Sequence, residues 1–77
     1  MFKIYGRNGC SSCVQAKALL ESKGIPLEYL SMGKDYDLQK FMSFNPSHKT
    51  FPLITQVSEG VEEYVGGLND LKELLAQ

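Results

Sequence analysis

Residues 2–13 read FKIYGRNGCSSC, and this stretch sets the fold. Phe2 to Tyr5 alternates apolar with polar or aromatic side chains and reads as a buried strand. Arg7-Asn8-Gly9 supplies the residues of a loop. A helix is expected from Ser11, because Cys13, Ala16, Leu19 and Leu20 recur at helical spacing and make one apolar stripe. Gly24 stands where a helix C-terminal cap belongs, and Pro26 prevents continuation. Leu27 to Leu30 is then a second strand. A strand, a helix and a strand in succession imply a parallel pair joined by a right-handed crossover.

Glycines and prolines cut up the remainder. Asp35 to Phe44 is expected to be helical, with Leu38, Phe41 and Met42 on one face and Asn45-Pro46 ending it. Leu53 to Val57, a tight turn at Ser58-Glu59-Gly60, and Val61 to Val65 read as a β-hairpin. Gly66-Gly67 breaks the second strand. Asn69 or Asp70 is expected to cap a last helix, with Leu71, Leu74 and Leu75 facing the core. The order β-α-β-α-β-β-α predicts an α/β fold with a four-stranded mixed sheet flanked by helices.

With 77 residues, of which 43% are hydrophobic, the chain is expected to form one domain, residues 1–77, with one packed core. Eight basic residues against nine acidic ones give a net charge of -1, without the basic excess that nucleic acid or a membrane surface would require. Its apolar runs are too short to span a bilayer. The start, Met1-Phe2-Lys3-Ile4-Tyr5, is too short and too strand-like for a secretory signal. Two cysteines do not staple a secreted mini-protein. A soluble, cytoplasmic, monomeric protein is expected.

Cys10-Ser11-Ser12-Cys13 is the constellation able to carry chemistry by itself. The pair follows a strand and opens a helix, the place where redox CxxC motifs sit. Side chains three apart on a helix lie roughly 5–6 Å from one another, within reach of a disulfide. The N–H groups of Ser12 and Cys13 are expected to point at the Cys10 sulfur. The helix dipole adds positive potential there, and Arg7 adds a full charge. All three favour a thiolate. An ordinary cysteine is only about 3% thiolate at neutral pH, and lowering its pKa to roughly 5 makes it almost wholly so. Part of this gain is returned as lower intrinsic nucleophilicity. Cys10 is thus the expected attacking sulfur. Cys13, which begins the apolar stripe, is the expected resolving thiol. The competing readings are two inert core cysteines or a zinc site, for which His48 is the one conventional further ligand. His48 itself is expected to be a surface-loop residue without a base or metal partner, and the four tyrosines core or rim aromatics.

Three segments, in order, carry a family resemblance. Residues 2–13 are similar to the strand, Gly-Arg loop and CPYC motif of glutaredoxins. Thr50-Phe51-Pro52 is similar to their TVP motif, and Gly66-Gly67-Leu68-Asn69-Asp70 to their GG-x-x-D segment. Over nearly its whole length the chain resembles a short dithiol glutaredoxin of the bacterial or phage type. The resemblance implies a thioredoxin-like fold with Pro52 in a cis peptide bond facing the cysteines. It implies catalysis by Cys10 and Cys13, no metal ligands, and a glutathione site made of Arg7, Ser12, Thr50, Phe51, Pro52, Gly67, Asn69 and Asp70. In that site the Phe51 backbone pairs with the cysteinyl part of glutathione or an extended peptide. The start of the last helix, with Asp70, meets the γ-glutamyl end, and Arg7 or Lys49 meets the glycine carboxylate.

Ser11-Ser12 departs from the family's Pro-Tyr. This frees the backbone of the turn and removes an aromatic wall, while Phe51 in place of valine restores apolar contact. The implied activity is glutathione-dependent reduction of protein disulfides and glutathionylated thiols. Glutathione is then a co-substrate and no cofactor is bound permanently. Ribonucleotide reductase and other disulfide-forming proteins are the partners implied, in electron transport and cell redox homeostasis. Two alternatives stand beside it: a redoxin reduced by thioredoxin reductase, and a module holding a glutathione-ligated [2Fe–2S] cluster between two subunits.

Overall fold

The computed structural model describes residues 1–76. Strand β1 (Phe2–Gly6) leads into helix α1 (Ser11–Ser22), followed by β2 (Leu27–Ser31), α2 (Leu38–Phe44), β3 (Leu53–Ser58), β4 (Val61–Gly66) and α3 (Leu68–Leu75). The strands form one sheet in the order β2-β1-β3-β4. β1 runs parallel to β2, and the pairs β1–β3 and β3–β4 are antiparallel. Element order and mixed sheet match the thioredoxin-like arrangement expected.

The pleat sends alternate residues of β1 and β3 to opposite faces. Phe2, Ile4 and Ile54 pack against Ala16, Leu20 and Leu71 of α1 and α3. Tyr5 and Leu53 point the other way, onto Phe41 of α2. On this second face the Tyr5 hydroxyl and the buried Thr55 hydroxyl each donate to Glu62 Oε2 at 2.6 Å. Burial, reinforced by the bond to Glu62, raises the Tyr5 phenol well above the usual tyrosine value. Burial likewise pushes Tyr36 up to about 12. At Glu62, burial acts to raise the carboxyl, but the hydrogen bonds from Thr55 and Tyr5 and the charges of Lys3 and Lys40 outweigh it and hold the group below its ordinary value.

Four expectations are corrected. The second helix starts at Leu38, not Asp35. Asp35 instead closes a turn, its carboxylate accepting the Ser31 N–H at 2.8 Å, while Asp37 caps the helix by accepting the Lys40 N–H at 3.0 Å. The last helix is capped at Gly67 rather than at Asn69 or Asp70. Asp70 lies one turn in and reaches back to accept the Gly67 N–H at 2.9 Å. Leu38, Met42 and Leu74 are exposed, because α2 and α3 are two turns long and only Phe41 and Leu71 reach full burial. The hairpin turn narrows to Glu59-Gly60. Both residues have positive φ, 54° and 79°, which matches the twist of the strands that they join.

Candidate active site

β1 ends at Gly6, where there is no room for a side chain. A Cβ there would lie 2.5 Å from the Tyr29 hydroxyl and 3.1 Å from Cys13 Sγ. The Gly6 carbonyl accepts from the Tyr36 hydroxyl at 2.8 Å and the Met32 N–H at 2.9 Å, so the strand end is fixed before the loop begins. The loop then delivers Cys10 in extended conformation (φ -107°, ψ 105°) as the N-cap of α1. Cys10 Sγ accepts the Cys13 N–H at 3.2 Å. Of the two amides expected to aim at this sulfur, it is the Cys13 N–H, at the third helical position, that the cap geometry brings into range. The two cysteines are joined as a disulfide, with Cα atoms 5.3 Å apart. Cys10 sits half-buried at the rim, whereas Cys13 has no exposed surface.

Cys10 opens into a cleft of about 580 Å³ lined by Arg7, Ser11, Ser12, Lys49, Thr50 and Phe51. Arg7 and Lys49 are the charged residues among those lining it, so the sulfur faces positive potential from side chains as well as from the helix end. The Arg7 guanidinium lies 5.3 Å from the centre of the Phe51 ring, a cation–π distance that holds this flexible side chain over the cleft. A second cleft, of about 560 Å³, shares Ser12, Lys49, Thr50 and Phe51 and continues to Gly67, Asn69 and Asp70. The two form one continuous depression from Arg7 to the start of α3. The Phe51–Pro52 peptide bond is cis, and Pro52 is buried next to Phe51, which lines both clefts.

Arg7, Ser12, Thr50, Phe51, Gly67, Asn69 and Asp70 thus border this depression, Pro52 is buried beside Phe51, and Cys13 has no exposed surface. Gly66 (φ 135°) turns the chain into α3, and a Cβ there would overlap the Asp70 carboxylate. His48 was missed. It lies in a loop, as expected, but is half-buried, and its ring nitrogens meet the Tyr64 hydroxyl at 2.6 Å and the Pro52 carbonyl at 3.2 Å. Nothing in the sequence near His48 signals a partner sixteen residues away. A separate cavity of about 610 Å³, bordered by Lys3, Tyr36 and Lys40, lies over the α2 face of the sheet and holds none of the expected site residues. Among the described residues no group of three or more His, Cys, Asp or Glu is placed to hold a metal ion, and no helix is long and apolar enough to cross a membrane.

A strand that hands a dithiol to the first turn of a helix, beside a cis-proline loop, is how thiol–disulfide oxidoreductases of thioredoxin-like fold are built. The chain belongs to the glutaredoxin family, whose profile matches residues 2–60, and it is a thiol–disulfide oxidoreductase with a CxxC dithiol. Its fold is similar to that of reduced Escherichia coli glutaredoxin (TM-score 0.77, 22% identity, covering 97% of this chain and 92% of that one). It is also similar to a glutaredoxin from Brucella melitensis (TM-score 0.73, 35% identity, 97% of this chain and 77% of that one). A third similar structure is glutaredoxin 1 from Francisella tularensis complexed with cacodylate (TM-score 0.67, 27% identity, 99% and 96%). No match to a curated protein was found.

Proposed function

We propose that this protein reduces disulfides and glutathione mixed disulfides at Cys10, with Cys13 as the resolving thiol and glutathione as the reductant. The observation that carries the reading is the asymmetry of the pair. Cys10 is at the helix tip, receives an N–H and faces Arg7 and Lys49, whereas Cys13 is buried beneath it. In the reduced enzyme the Cys10 thiolate attacks a substrate sulfur. A Cys10–substrate bond forms, and the substrate's second sulfur leaves and takes a proton. The Cys13 thiolate then attacks Cys10 Sγ and releases the first substrate sulfur. The substrate has gained two electrons and two protons, and the enzyme keeps the oxidation as the Cys10–Cys13 disulfide. Two glutathione thiols reverse this, leaving oxidised glutathione.

The glutathione site proposed is the continuous depression. Arg7 and Lys49 suit the glycine carboxylate, the Phe51 backbone suits the cysteinyl unit, and the start of α3 suits the γ-glutamyl end. Ser12, Thr50, Asn69 and Asp70 border the same space, and the cis Pro52 follows Phe51 at its edge. Residues 1–77 are taken as one domain acting as a monomer. The reducing cytoplasm is the compartment that suits a dithiol regenerated by glutathione. Protein disulfides such as that of ribonucleotide reductase are the proposed substrates.

The test is turnover of a glutathionylated peptide and of a protein disulfide with glutathione as reductant, compared with thioredoxin reductase as donor. The wild type should turn over both substrates with glutathione. Cys10→Ser should lose both activities, and Cys13→Ser should keep deglutathionylation while losing dithiol reduction. Wild-type activity in Cys10→Ser would reject the mechanism. Turnover with thioredoxin reductase alone would reject the glutathione site.

A further inference from the structure

We propose that His48 is a positioning residue: it holds the Pro52 ledge at the distance from β4 and α3 that a disulfide substrate requires beside Cys10. The inference rests on the proposed function of the depression, to which it adds the part that sets its width. A carbonyl only accepts, so the 3.2 Å contact to the Pro52 oxygen places the ring proton on Nε2. In the neutral ring Nδ1 then accepts from the Tyr64 hydroxyl at 2.6 Å. One side chain thus ties the loop that carries Phe51 and Pro52 to the strand that leads into α3.

The ring has little freedom to leave this place. It packs edge-on between Phe41, at 5.7 Å, and Tyr64, at 5.6 Å. Its backbone is held at the end of α2, where the His48 N–H donates to the Asn45 carbonyl at 2.9 Å. On the α3 side, a Cβ on Gly67 would stand 3.7 Å from both His48 Cε1 and the Pro52 oxygen, so the start of the helix packs directly on this strap. The neighbours Ser47, Lys49 and Thr50 are exposed, which leaves His48 as the inward-turned side chain of the 47–50 segment. Histidine suits the task because both nitrogens of one rigid ring are used, one as donor and one as acceptor.

The experiment measures steady-state reduction of a glutathionylated peptide by wild type, His48→Leu, His48→Gln and Tyr64→Phe, with dithiothreitol and with glutathione as separate reductants. Leu keeps an apolar side chain between the aromatic rings and removes both hydrogen bonds. Its KM for the peptide should rise about tenfold while kcat stays within about twofold, the pattern of lost positioning with the sulfur chemistry intact. The Gln side chain ends in an amide N–H that reaches where Nε2 was, and it should return KM to within about threefold of wild type. Tyr64→Phe should raise KM by a smaller factor than Leu does. Thermal melting of each variant separates this from a stabilising role. A Leu variant with lowered melting temperature and unchanged KM, or a Gln variant no better than Leu, overturns the proposal. If wild type turns over with dithiothreitol and not with glutathione, the glutathione reading falls, while the effect of His48 on peptide KM is still read. Absence of turnover with both reductants would overturn both.

Discussion

The two faces of the sheet solve different problems. The face under α1 and α3 is closed by Phe2, Ile4, Ala16, Leu20, Ile54 and Leu71, with no polar side chain among them. The face under α2 is built from aromatic rings. Tyr5 packs edge-on against Tyr36 at 5.1 Å, and Phe41 lies 4.7 Å from Phe51. It also carries a carboxylate, Glu62, held by two hydroxyls. The first face anchors the helix that presents the cysteines, and its six buried side chains carry no titratable group. The second supports the cis-proline loop and contains groups that titrate. The dithiol is carried by the helix that packs on the apolar face.

Substitutions can break this contrast, and the largest effect is expected on the apolar face. Leu20→Ala should cost about 3–4 kcal/mol of stability, equally at every pH, in denaturant unfolding of the oxidised protein. A smaller cost, about 1–2 kcal/mol, is expected for Gly6→Ala, where the two faces meet. The new methyl presses on Tyr29 and on Cys13 Sγ, so this variant should also slow dithiol reduction.

On the second face the sign of the pH dependence can be worked out. The Glu62 carboxyl is held below its ordinary value of 4.5. Its contribution is therefore fully present above that value and is lost as pH falls through the folded-state pKa. Tyr5 and Tyr36 are raised above 10, so theirs is present below 10 and is lost as pH rises beyond it. Glu62→Gln should flatten the acid limb of a stability–pH curve and Tyr5→Phe the alkaline limb, while Leu20→Ala shifts the whole curve. Unchanged limbs would remove the contrast between the faces. The smallest effect is expected for Lys3→Ala, below about 0.5 kcal/mol in the same unfolding assay, because the 3.8 Å pair with Glu28 is solvent-exposed on the Glu28 side.

Much of this architecture was legible because the signals are local. The stripe of Cys13, Ala16 and Leu20 marks the buried side of α1, and Gly24, with φ 66°, stands just beyond its end. The cis bond at Pro52 was legible only through the Thr-Phe-Pro resemblance, since nothing in the dipeptide itself sets the isomer. Where two residues of one type compete, tertiary contacts decide. Asp35 and Asp37 are both able to cap a helix, and the bridge between Met32 and Tyr36 assigns Asp35 to the turn. Asn69 and Asp70 looked like caps, but the tight passage at Gly66 moves the helix start back to Gly67. Side-chain pairs far apart along the chain were not legible at all. Tyr5 and Glu62 are 57 residues apart, and His48 and Tyr64 are 16 apart.

The dithiol chemistry rests on the different environments of two sulfurs one helical turn apart. Its most direct test is iodoacetamide alkylation of the fully reduced protein across pH, with each cysteine followed by peptide mass spectrometry. Cys10 should be modified at mildly acid pH, where an ordinary thiol is inert, while Cys13 stays unmodified until the protein unfolds. Equal, slow modification of both at that pH would contradict it.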